Sequence, residues 1–152
     1  MHDYERIAAL LEADVDVVVV DSAHGHSANV LETVRRIKKD FAIEVIAGNV
    51  ATAETFAWLE DLGVDAIRVG IAGGSVCETR TETGVHAPTP YRVHACAQVR
   101  SHALLVGDGG VRGPSRMCKL LALAADCSDV GSAPPAPYRA PVRGRCLSCT
   151  TS

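Results

Sequence analysis

Val15-Asp-Val-Val-Val-Val20, followed at once by Asp21-Ser-Ala-His-Gly-His26, decides the fold class of this chain. The unbroken run Val17 to Val20 shows no alternation of apolar and polar residues, so a strand made from it is covered on both faces. Strands covered on both faces belong to parallel sheets clothed in helices. A dinucleotide-binding sheet places a GxGxxG turn directly after its first strand, whereas here an acid, a serine and two histidines stand in that place.

Outward from this strand the pattern alternates. Tyr4 to Glu12 has helical spacing, and Ser27 to Lys39 is predicted as a helix opened by a serine cap and closed by Arg35, Arg36, Lys38 and Lys39 near its negative end. There follow a strand over Glu44 to Ala47, a helix over Thr52 to Leu62, a strand over Ala66 to Val69 and a long loop to Pro90. A helix over Tyr91 to Arg100, a strand over Ala103 to Val106, a helix over Pro114 to Ala124 and a weak strand near Val130 complete the series. The segments Ala13-Asp-Val-Asp16 and Gly63-Val-Asp-Ala66 both lead from a helix end into a strand and point to a repeated βα unit.

Each strand ends in polar or glycine-rich chemistry: Asp21-Ser22, Ala47-Gly-Asn49, Gly70-Ile-Ala-Gly-Gly-Ser-Val-Cys77-Glu-Thr79, Gly107-Asp-Gly-Gly110 and Gly131-Ser132. A (β/α)8 barrel collects its chemistry on that rim and binds phosphate at the loops after its last two strands, so a TIM barrel explains the pattern better than an open sheet. A complete barrel needs about 250 residues and eight strands. Five strands are countable here, and the expectation is a partial barrel, a fragment.

With 152 residues and 47% hydrophobic composition, the chain has material for one core. The net charge of −3 argues against a nucleic-acid surface. Without a long apolar run or a signal-like start, the expectation is a cytoplasmic protein with no membrane partner. Reduced thiols are expected for the six cysteines. Cys96, Cys118 and Cys127 are expected to pack, and His24 with His26 forms an incomplete metal site better read as a solvated loop. From Ala133 onward the chain holds three of its 15 basic residues, none of its 18 acids and four of its seven prolines. Residues 133–152 are therefore expected to be a disordered Pro/Arg-rich tail beside a 1–132 domain. The Cys146–Cys149 pair lacks the second pair that a zinc site requires.

Four motifs together, Val20-Asp-Ser-Ala-His-Gly-His26, Val45-Ile-Ala-Gly-Asn-Val-Ala-Thr52, Val69-Gly-Ile-Ala-Gly-Gly-Ser-Val-Cys-Glu-Thr-Arg80 and Asp108-Gly-Gly-Val111, resemble in order and spacing the IMP dehydrogenase and GMP reductase family. The resemblance covers residues 1–132 and implies barrel strands four to eight, with the first three absent from the front. It implies that Cys77 is the nucleophile attacking C2 of the purine, with Thr79 beside it to position water or the leaving group. It assigns the nucleotide phosphate to Ser75, Gly110, Gly131 and Ser132, and the ribose hydroxyls to Asp108. Asp21, Ser22, Asn49 and Gly70 fall on the nicotinamide side, and the carbonyls of Ala72, Gly74 and Cys77 line a monovalent-cation site, potassium being one such ion. The implied partners are IMP or GMP, NAD or NADP, and further copies of the chain, a tetramer in full-length members.

The chain also departs from the family. Ala72 stands where glycine is usual, so a positive φ there is strained. His86 and Arg116 replace a glycine and an acid. Cys127-Ser-Asp129 puts polar residues into what should be an apolar final strand. After Ser132 the acidic loop, tyrosine and mobile flap of the family are not found, and the chain as given is expected to be neither an active enzyme nor a stable monomer. Thr83-Gly-Val85 leans towards the reductase and Gly131-Ser132 towards the dehydrogenase, which is preferred. A non-catalytic partial barrel that binds nucleotide weakly, or only pairs with another chain, is the alternative from outside enzymology.

Overall fold

Helix starts in this chain are written by side chains that replace missing backbone partners. Ser27 and Thr52 both adopt extended backbone and accept the N–H three residues on, from Val30 and Thr55, so that α2 (Ala28–Asp40) and α3 (Ala53–Asp61) begin there. The computed structural model describes residues 2–74, 77–130 and 146–150. Its other elements are α1 (His2–Glu12), β1 (Val17–Asp21), β2 (Glu44–Val50), β3 (Ala66–Val69), α4 (Thr79–Thr83), α5 (Thr89–Ala97), β4 (Leu104–Asp108), α6 (Pro114–Ala122), β5 (Cys127–Asp129) and β6 (Cys146–Thr150).

All strand pairs are parallel, and the sheet order is β5-β4-β3-β2-β1-β6. From β1 to β5 the spatial order equals the chain order, with no reversal. A doubly wound sheet requires a reversal, so the fold is that of a partial TIM barrel. Right-handed crossovers without a reversal put every linking helix on the same face. Alternation along the strands agrees. Val18, Val20, Val45, Ala47, Ile67, Val69 and Leu105 share one buried cluster with Ile37, Phe56, Leu59, Val93 and Leu120 of the helices. Asp21, Arg68 and Asp108 have the opposite parity and share the other face.

Three differences from the sequence-based expectation have physical causes. The final strand forms at Cys127–Asp129 despite its polar residues, because it is an edge strand and Asp129 has an ionic partner. The loop to Pro90 contains the short helix α4, closed by Gly84 at φ 68°. The sequence assigned no regular structure to 133–152. The described part of that segment, Cys146–Thr150, runs parallel to β1 from Val17 opposite Cys146 to Asp21 opposite Thr150. The outer edge of β1 is therefore paired, which satisfies its outward backbone groups. Among the described residues no helix is long and apolar enough to cross a membrane.

The helix-to-strand repeat seen in the sequence is a structural device. Asp65 Oδ2 accepts the Val45 N–H at 2.7 Å and Lys38 Nζ at 2.8 Å. Asp126 Oδ2 accepts the Leu105 N–H at 2.7 Å and pairs with Arg100. In each case the aspartate ties the foot of one strand to the first residues of the strand before it. Two residues upstream of Asp16, Asp65 and Asp126 stand Asp14, Gly63 and Ala124, all at positive φ. That turn ends α6 at Ala122, two residues short of the expected Ala124.

Glu60 makes the tightest of these ties. It is 4% exposed, and its carboxylate accepts the N–H groups of Ser101 at 3.0 Å and of His102 and Ala103 at 2.7 Å. Burial opposes its charge, but those three donors prevail and hold its pKa below the ordinary 4.5. A carboxyl with a depressed folded-state pKa contributes stability that is present above its unfolded value and is lost as pH falls through the folded one. Denaturation midpoints should therefore drop as pH falls below about 4.5 in the parent. Glu60→Gln should lower stability by about 2 kcal/mol at neutral pH and flatten the acid limb, as read by urea titrations across that range.

Candidate active site

The polar rim is built from the ends of five strands. Asp21 closes β1, Asn49 lies near the end of β2, Arg68 is the third residue of β3, and Asp108 and Asp129 close β4 and β5. The register sets Asp21 opposite Gly48 and Gly48 opposite Arg68. A Cβ on Gly48 would lie 2.7 Å from the Arg68 Cβ, so only glycine lets the arginine lie across β2 towards β1. Arg68 then reaches Asp21 at 3.1 Å, Asp108 at 3.0 Å and Asp129 at 3.2 Å. One guanidinium ties β1, β4 and β5 to β3.

The Arg68 side chain is 17% exposed. Burial works against its charge, but Asp108, Asp21 and Asp129 outweigh burial and push its pKa up. Asn49 joins the network: its Nδ2 donates to Gly70 O at 2.6 Å and, by a very short contact, to Asp108 Oδ2. Arg68 and Asn49 both land on Oδ2 of Asp108, so neither engages its other oxygen. The Asn49 Oδ1 is buried with no hydrogen-bond partner, an acceptor that fits an incoming amide N–H.

Above this layer two glycine loops touch. A Cβ on Gly73 would lie 2.9 Å from the carbonyl carbon of Gly109, and one on Gly109 would lie 2.8 Å from the Gly73 Cα. Neither loop can carry a side chain at that contact. Gly109 and Gly110 adopt φ 86° and 77°, and Ala72 adopts φ 60°, the strained conformation anticipated for it. The Gly74 carbonyl accepts the Cys77 N–H at 3.4 Å. Together the loops and strand ends enclose a cavity of about 420 Å³.

The structure brings most of the sequence-predicted site into this cavity. Asp21, Ser22, Asn49, Gly70, Ala72, Gly74, Cys77, Thr79, Asp108 and Gly110 all line it. Cys77 is half-buried, with a free thiol. Ser75, Gly131 and Ser132 lie outside the described residues. His26 packs its ring 4.4 Å from that of Trp58, and no metal-ligand cluster occurs among the described residues. Cys96 is in the core, where burial pushes its thiol up to about 11, but Cys118 and Cys127 are exposed rather than packed.

Arg68 and Asp129 are site residues that no motif marks. A signal existed in the first case, since a charged residue third in a four-residue buried strand needs counter-charges. Asp129, which interrupts the apolar pattern of its strand, supplies one of those counter-charges.

A family model described as IMP dehydrogenase / GMP reductase domain matches residues 1–143. The chain belongs to that family. Relatives within it include the inosine-5′-monophosphate dehydrogenases of Rhodopirellula baltica, 46% identical over 134 residues, and of Aquifex aeolicus, 46% identical over 131. That of Nitrosopumilus maritimus is 47% identical over 131 residues. These alignments cover 86%, 84% and 84% of this chain but 25%, 27% and 28% of the relatives, so the chain spans about a quarter of their length.

Two measurements probe this architecture. Replacing Arg68 by Met leaves the carboxylates of Asp21 and Asp108 facing one another without their cation, and should destabilise the chain by about 3 kcal/mol in urea denaturation. Ala72→Gly should act in the opposite direction, raising stability by about 1 kcal/mol through relief of the positive φ.

Proposed function

We propose that the chain carries the catalytic face of an IMP dehydrogenase-like oxidoreductase, one that converts IMP, NAD and water to XMP and NADH for guanine nucleotide synthesis. The observation that carries this reading is that one cavity unites the Cys77 thiol, Thr79, the available oxygen of Asp108 and the unpartnered Asn49 Oδ1. Each of the four has a task in that chemistry.

The Cys77 thiolate adds to C2 of the purine, an electron-poor carbon, and later yields the carbon to water. A nicotinamide bound there would supply the acceptor for the hydride leaving C2. Asn49 Oδ1 fits the carboxamide N–H of that cofactor, while Asp21, Ser22 and Gly70 form the same wall. Asp108 receives the ribose hydroxyls, and the N–H groups around Gly110, with Ser75, Gly131 and Ser132, take the phosphate. Thr79 positions the water or the leaving group. The carbonyls of Ala72, Gly74 and Cys77 would hold a monovalent cation, and the full protein assembles from several copies.

The second reading is GMP reductase, in which the same thiol takes GMP and NADPH to IMP and ammonia. The threonine at Thr83, directly before Gly84-Val85, favours it. Both readings can be tested by building residues 1–132 into the corresponding part of the Aquifex aeolicus relative. IMP with NAD should give turnover, and GMP with NADPH should give much less; the reverse result would establish the reductase. In that chimera Cys77→Ala should abolish turnover while leaving IMP affinity within about tenfold, because the thiol acts in covalent catalysis rather than in ground-state binding. Residual turnover above a few per cent would remove Cys77 from the mechanism.

A further inference from the structure

A second cavity, of about 400 Å³, opens between α4, the start of α5 and the start of α6. Arg80, His86, Arg112, Arg116 and Lys119 line it, and no acidic side chain among the described residues does so. It is contiguous with the first cavity, because Gly73, Gly109, Gly110, Val111 and Arg112 line both. The two differ in sign. The first holds three carboxylates around Arg68, whereas the second holds three guanidinium groups and an ammonium.

Those cations are placed where the fold alone disfavours them. α6 begins at Pro114 with no side-chain cap and no acid in its first turn. Arg112 and Arg116 flank the positive end of the helix dipole, an unfavourable arrangement unless an anion joins them. Arg116 Nη1 spends one hydrogen bond on the Gly110 carbonyl at 2.7 Å, which holds the guanidinium beside the loop shared by the two cavities. Arg80, Arg112 and Lys119 have no carboxylate partner among the described residues.

We propose that this basic cavity is a polyphosphate site that takes the terminal phosphates of a purine nucleoside di- or triphosphate. This inference rests on the reading that places the ribose at Asp108 and the first phosphate at Gly110. A monophosphate brings about two negative charges to a cavity with four permanent cations, and a triphosphate brings about four. The charge of the longer phosphate chain matches the lining, and the shared glycine loop gives it a route from one cavity to the other. The chain therefore recognises nucleotides by phosphate number as well as by base, and a triphosphate competes with a monophosphate for the same ribose position.

Calorimetric titration of the 152-residue chain with inosine monophosphate, inosine triphosphate and inorganic tripolyphosphate, without divalent cations, tests this. The triphosphate should bind about tenfold more tightly than the monophosphate. Arg80→Gln and Lys119→Gln should each remove most of that gain while leaving monophosphate affinity within about twofold. A triphosphate that binds no better than the monophosphate, or a gain indifferent to both variants, would overturn the inference and leave the nucleotide reading standing. If neither nucleotide binds but tripolyphosphate does, and the variants weaken it, the basic cavity stands as a polyphosphate site and the nucleotide reading falls.

Discussion

The rim of this sheet is organised by one guanidinium lying over one glycine. Arg68 has carboxylates on both sides, from β1 and from β4 and β5, and reaches the first only because Gly48 has no side chain in between. Three acids on neighbouring strands would repel one another, and the arginine converts that repulsion into a clamp. Everything nearer the solvent stands on it. Asn49 is fixed through Asp108, and the Gly70 carbonyl through Asn49. The loop that carries Cys77 leaves the sheet at Gly70.

This clamp also divides labour within the site. Asp108 is held through one oxygen by Arg68 and Asn49, and the residue lines the cavity. A carboxylate fixed in this way has little further ordering to undergo on meeting a donor. The contact between Gly73 and Gly109 does the same for the loops, bringing two backbones closer than side chains would allow. The loop that leads to Cys77 is thus braced from below by a charge network and from the side by a glycine contact.

Much of this was legible in the amino-acid sequence, for identifiable reasons. Continuous valines announced a parallel sheet, Ser27 and Thr52 announced helix starts, and the polar strand ends announced the rim that the cavity occupies. Arg68 escaped notice because a strand residue acquires meaning only from its lateral neighbours, and lateral neighbours are set by register, which motifs do not encode. Gly48 lies within a recognisable motif, yet the need for glycine there depends on a residue 20 positions away. The strand Cys146–Thr150 was missed because its residues carry no strand periodicity, and its pairing derives from the edge of β1. The basic cavity was likewise invisible, since Arg80, Arg112 and Lys119 are scattered along the chain and converge only in space.

The aspartates at the feet of the strands have a consequence for how such a sheet assembles. Asp65 and Asp126 each match their own strand to the preceding one by a side-chain bond to a single named amide, backed by a base, Lys38 from α2 in one case and Arg100 from the turn after α5 in the other. A strand displaced by one residue would turn its apolar face outward and also leave that carboxylate without its amide and its cation. Misalignment is thus penalised twice, by unrelated forces, at the end of the sheet farthest from the chemistry. The bottom of the molecule acts as a proofreader for the top, and the geometry above, which must be right to within fractions of an ångström, inherits its accuracy from contacts that never meet a ligand.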